Sequence, residues 1–111
     1  MLKSPRRKGS RVERLILDMF DKWGFPGRKQ PMSGALQDFP CDLRLETPDG
    51  HLFIEVKARR AGIATFTRWL QGADLVALKP DHAEPIFILT ATTMRRFCEM
   101  SRAEEAARKI A

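Results

Sequence analysis

Asp42 and the triplet Glu55-Val56-Lys57 are the residues of this chain whose types and spacing could do chemistry. Residues 53–58 read as a β-strand, on which side chains alternate faces, so Glu55 and Lys57 project from one side while Ile54 and Val56 face the other. The preceding Asp42-Leu43-Arg44-Leu45-Glu46 alternates polar and apolar, and Thr47-Pro48-Asp49-Gly50 carries turn signals, which predicts an antiparallel hairpin. Pairing within that hairpin returns Asp42 to the neighbourhood of Glu55 and Lys57. Two carboxylates and an ammonium at one point suit a hard cation. Mg²⁺ would take oxygens from Asp42, Glu55 and the Val56 carbonyl and leave positions for phosphate oxygens. Lys57 would orient or deprotonate the attacking water and stabilise the negative charge growing on phosphorus. The chemistry implied is phosphodiester hydrolysis. The competing reading is an ordinary amphipathic strand with a solvent-facing Glu and Lys and a strand-edge Asp, because Glu-x-Lys alone is common by chance.

The elements that must position these groups follow a definite order. A helix is predicted over about residues 10–23, where Val12, Leu15, Ile16, Met19, Phe20 and Trp23 recur at three- and four-residue steps, and Gly24 ends it. Ser10 with Glu13 forms a capping-box pattern. Residues 25–39 read as a loop with a short edge strand near 28–32, in which Arg28, Lys29, Ser33 and Gln37 could bind phosphates or simply be solvated. Arg59-Arg60 follow the hairpin and either bind phosphate at the rim of the site or serve solubility. A short helical segment carrying Phe66, Trp69 and Leu70 comes next, where Trp69 either stacks on an unpaired base or packs in a core or interface. Two apolar runs, 73–79 and 85–89, read as buried strands. A last helix is predicted over about residues 93–109, with much of its charge a solvated face, as the i,i+4 pair Glu104 and Arg108 suggests. His51 falls at the hairpin tip and His82 in a Pro-flanked polar loop, so neither is placed as a general base.

The run Arg7-Lys8-Gly9-Ser10-Arg11-Val12-Glu13-Arg14, then Gly24-Phe25, Ser33-Gly34, Pro40-Cys41-Asp42-Leu43 and Leu52-Phe53-Ile54-Glu55-Val56-Lys57-Ala58-Arg59 together resemble the PD-(D/E)XK nuclease superfamily, and within it the archaeal-type Holliday junction resolvases. Cys41 departs from the pattern by separating Pro40 from Asp42, and the later third of the chain matches only in its order of elements. The resemblance implies an α/β, restriction-endonuclease-like fold, a central mixed β-sheet flanked by helices. It also adds Glu13 to Asp42 and Glu55 as a metal ligand, with Lys57 acting on the water. The DNA-contacting set expected is Lys8, Arg14, Arg28, Lys29, Ser33, Arg59 and Arg60. The implied activity is Mg²⁺-dependent endonucleolytic cleavage of branched DNA at four-way junctions, with Mn²⁺ able to substitute and no small-molecule cofactor. Symmetrical resolution requires two equivalent cuts, hence a two-fold homodimer. Another nuclease of the superfamily, acting on flaps, ends or a restriction-like target, and a catalytically silent DNA-binding protein are the alternatives.

Composition agrees with a small DNA enzyme. The 111 residues, 43% hydrophobic, are expected to form one nuclease domain with a single core, preceded by a flexible basic segment over residues 1–9. A formal charge of +6 and a pI near 9.9 suit a polyanion, DNA or RNA, with an anionic membrane surface as the competing partner. No apolar run is long enough to span a bilayer and the first residues lack a signal peptide's apolar stretch, so a cytoplasmic location without membrane partners is expected. Cys41 and Cys98 are too few for a disulfide framework and are expected to be small buried apolar residues.

Overall fold

The computed structural model describes residues 5–31 and 41–110, which form two compact units, Met1–Ala58 and Arg59–Ala111. Both mix helix with antiparallel sheet, so the chain is α/β in class.

The first unit begins with α1, Pro5–Lys22. The helix starts earlier than its apolar spacing predicts, at a proline whose fixed φ and missing N–H suit a first helical position. Ser10 therefore lies inside α1 and is not its cap. At the other end Gly24 takes φ 95°, its N–H donates to the Asp21 carbonyl at 3.1 Å, and the Phe25 N–H donates to the Phe20 carbonyl at 2.8 Å. These two bonds are a Schellman closure, which needs a left-handed residue where glycine stands.

Three strands follow: β1 (Gly27–Lys29), β2 (Leu43–Thr47) and β3 (Gly50–Ile54), in spatial order β1-β2-β3 and all antiparallel. Alternation in β2 buries Leu43 and Leu45, the core of this unit, at 0% and 2% exposure. Their partners across β1 are Lys29 and Gly27. A Cβ on Gly27 would come within 2.6 Å of the Arg44 carbonyl oxygen, 2.7 Å of Leu45 Cδ2 and 3.2 Å of Leu17 Cδ2, so α1 sits on β1 and β2 only because this position is bare. Gly27→Ala is expected to lower stability by about 1–3 kcal/mol through overpacking, read as a fall in the urea midpoint. Between β2 and β3, Pro48 and Asp49 make the two-residue turn and Gly50 supplies the positive φ, 138°. Proline at the first turn position excludes the type I′ geometry, which needs positive φ there.

The second unit contains α2 (Ala64–Trp69), β4 (Leu75–Leu78), β5 (Ile86–Leu89) and α3 (Ala91–Ile110). β4 and β5 pair antiparallel as a sheet of their own. The expectation that they are buried is overturned, since Leu75, Ile86 and Phe87 are 38%, 55% and 57% exposed. A two-stranded sheet has too few neighbours to cover both of its faces. Thr90 starts α3, its Oγ1 accepting from the Thr93 N–H at 3.4 Å. The charged face expected of this helix is present as the i,i+4 pairs Arg95–Glu99, Glu104–Arg108 and Glu105–Lys109. Cys98 is buried as expected, and burial pushes its thiol above the ordinary range, with Glu99 adding to the effect. Cys41 is only half-buried.

Among the described residues every strand pairing is antiparallel and the strands form two sheets, where a single mixed sheet was expected. No helix among these residues is long and apolar enough to cross a membrane.

Candidate functional site

The strongest cluster of chemistry-bearing groups lies where β2 begins and β3 ends. Asp42 immediately precedes the buried Leu43, and three strands meet at its backbone and side chain. Its carbonyl accepts from the Gln30 N–H at 2.8 Å, its N–H donates to the Ile54 carbonyl at 3.0 Å, and its Oδ2 accepts from the Val56 N–H at 2.7 Å. Asp42 as a whole is 8% exposed. Leu43 is paired with Ile54, so the bond from Asp42 to Ile54 runs one residue out of step with the ladder. Such a step ends regular pairing and bends the strand, and β3 accordingly stops at Ile54 instead of continuing to residue 58. From there the side chain of Asp42, not its backbone, carries the chain onward by holding Val56.

Cys41, the residue before Asp42, has φ 65°, a left-handed conformation uncommon outside glycine. The strained residue turns the chain sharply into β2, and strain of this kind tends to be retained where a neighbouring side chain must be aimed.

Beyond the ladder, alternation persists. Ile54, Val56 and Ala58 are half-buried while Glu55 and Lys57 are exposed. Lys57 Nζ stands 3.6 Å from Glu55 Oε1, which places acid and amine on one side as their spacing predicts. Both side chains are solvent-accessible, at 65% and 51%, so they remain available to a ligand.

Glu13 occupies a different setting. It is 7% exposed on α1, and Lys29 Nζ lies 3.6 Å from its Oε2 while donating to Ser10 Oγ at 2.7 Å. Ser10, expected to cap the helix, instead accepts from a lysine across the helix–sheet contact. Lys29, expected near a short edge strand as a phosphate-binding or solvated residue, lies on β1 and is tied to two groups of α1. This Ser10–Lys29–Glu13 arrangement is the part of the site that pattern reading missed. The available signal was that Lys29 alternates into register with the core residue Leu43, where a cation needs an acidic partner.

The other expected residues fall on several elements. Lys8 falls on α1; Arg14 and Arg28 are exposed on the first unit, and Arg59 and Arg60 are exposed at the start of the second. Ser33 and Gln37 lie outside the described residues. His51 Nδ1 pairs with Glu46 Oε2 at 2.8 Å beside the hairpin turn, in register well away from Lys57.

The donor set suits a hard cation. Asp42 engages one carboxylate oxygen with Val56 and has no other side-chain hydrogen bond among the described residues, while Glu55 is open to solvent. One or two carboxylates, completed by water and phosphate, is the usual protein contribution to Mg²⁺. Among the described residues no three Asp, Glu, His or Cys side chains are gathered closely enough to enclose an ion, the trio Glu13, Asp42 and Glu55 included. Comparison with protein-family models, with curated proteins and with solved structures finds no match.

Proposed function

We propose that the chain is a metal-dependent, structure-specific DNA endonuclease with a restriction-endonuclease-like fold, resembling the PD-(D/E)XK superfamily and cutting four-way junctions. The observation that carries this reading is the 2.7 Å bond from the Val56 N–H to Asp42 Oδ2, which locks the first carboxylate onto the segment bearing Glu55 and Lys57. A solvated strand edge has no need to bury an aspartate and spend its side chain on the backbone of the next strand.

The division of labour follows from position. Asp42, fixed and almost buried, and Glu55, exposed next in sequence to the Val56 that Asp42 holds, would bind Mg²⁺ or Mn²⁺ together with the Val56 carbonyl, and Glu13 would join them. The bound ion would supply Lewis-acid polarisation of the scissile phosphate. Lys57, at 3.6 Å from Glu55 and open to solvent, has its ammonium free to orient the attacking water and to face the charge that develops on the phosphate oxygens. Arg14, Arg28, Arg59 and Arg60 add salt-dependent affinity for the DNA backbone, in keeping with the net charge of +6. A two-fold dimer would present two such sites to one junction, and the exposed Ile86, Phe87, Phe97 and Met100 of the second unit are apolar surface of the kind an interface buries. A cytoplasmic place of action accompanies this reading.

The test is to incubate the protein with labelled four-way junction, flap and linear duplex in Mg²⁺, with and without chelator. Paired symmetrical nicks confined to the junction and abolished by chelator are expected. Cleavage of flap or duplex instead assigns the same site to another nuclease class, and junction binding without any cleavage overturns the enzymatic reading.

A further inference from the structure

Resting on the metal site just proposed, we infer that Lys29 is a displaceable counter-ion. Its ammonium holds the Glu13 carboxylate in the metal-free protein and releases it when a divalent cation binds beside Asp42.

A carboxylate as buried as that of Glu13 requires an opposite charge close by. Lys29 supplies it at 3.6 Å, steadied by its 2.7 Å bond to Ser10 Oγ one helical turn away. Register sets the Lys29 backbone next to that of Asp42, because Lys29 is paired with Leu43 and the neighbouring Gln30 N–H donates to the Asp42 carbonyl. The carboxylate expected to complete the metal site is thus already occupied, by a cation belonging to the protein.

The ammonium also has somewhere to go. A cleft of about 280 Å³ opens between α1 and β1, lined by Arg14, Leu17, Asp18, Asp21, Gly27 and Lys29 itself. Asp18 and Asp21 give that cleft two exposed carboxylates. A four-carbon stem can carry a compact ammonium from one acidic partner to another, which the rigid fork of arginine does less readily. Lysine suits a counter-ion that must move.

The experiment titrates wild type, Lys29→Met and Lys29→Arg with Mn²⁺ by calorimetry and records thermal melting with and without the ion. Competition between two cations for one carboxylate is a coupling between sites, so Lys29→Met is expected to bind Mn²⁺ about tenfold more tightly than wild type. Without metal it should melt lower, and saturating Mn²⁺ should restore most of the loss. Lys29→Arg, which keeps the charge, should bind no better than wild type. Should Lys29→Met be unfolded without metal, folding on addition of Mn²⁺ reports the same exchange.

Equal or weaker Mn²⁺ binding by Lys29→Met, with binding still abolished by Asp42→Asn, overturns the inference and leaves the metal site standing. Absence of Mn²⁺ binding in wild type and Lys29→Met alike overturns both.

Discussion

Asp42→Asn is expected, on the proposed nuclease reading, to reduce cleavage by about a thousandfold or more, the scale on which a charge-stabilising group is lost from a preorganised site. The substitution is informative because it leaves the local geometry in place. Asparagine keeps a carbonyl oxygen that can accept the Val56 N–H, now 2.7 Å from Asp42 Oδ2, so the end of the hairpin remains closed. Only the negative charge disappears. Stability should consequently change by no more than about 1 kcal/mol, the net worth of one hydrogen bond altered but not broken. Single-turnover cleavage of a labelled junction, a gel shift at the same ionic strength and a thermal melt separate the three quantities. Undiminished cleavage by the variant would remove Asp42 from the chemistry and with it the proposed metal site.

Leu43→Ala should be the most damaging single truncation in the first unit, costing about 2–5 kcal/mol. Leu43 is fully buried, it is paired with Lys29 on one side and Ile54 on the other, and among the described residues its only large companion at full burial is Leu45. So small a core cannot collapse around the missing atoms, because the strand backbones on either side are fixed by their ladders. Whole domains are stable by about 5–15 kcal/mol, so a loss of this size consumes much of what holds the unit together. In urea the midpoint should fall with little change in slope. Leu52→Ala, at a position 57% exposed, is the control and should move the midpoint by less than about 0.5 kcal/mol equivalent. Similar shifts for the two variants would mean that the first unit is not built on the β2 alternation.

How much of this was legible beforehand depended on whether the signal was local. The hairpin was, because strict alternation from Asp42 to Glu46 and a Pro-Asp-Gly turn specify register as well as type, and the observed pairing of Thr47 with Gly50 follows. The common side of Glu55 and Lys57 was legible for the same reason, although the strand expected over residues 53–58 lies earlier, at Gly50–Ile54, and ends before both of them. What stopped β3 at Ile54 is a slip in pairing caused by the Asp42 backbone, and periodicity carries no trace of that. The early start of α1 escaped notice because residues 5–9 are polar and contribute nothing to an apolar stripe. The ends of α3 were anticipated to within a few residues, and the strands of the second unit were found, yet their burial was misjudged. A run such as Pro85-Ile86-Phe87-Ile88-Leu89 states what a segment could bury against, not whether a partner is there. The Ser10–Lys29–Glu13 contact is a tertiary fact joining residues far apart in sequence, and only the register of β1 could have hinted at it.

The boundary between the two units falls between Ala58 and Arg59, directly after the segment that bears Lys57. On the proposed reading, every group that would touch the reacting phosphate is thus encoded upstream of that point, and nothing downstream of it is asked to do bond-breaking work. Descent can then treat the halves differently. Substitutions after Ala58 can alter which shape of DNA is gripped, or how long, while the instructions for cutting are inherited intact.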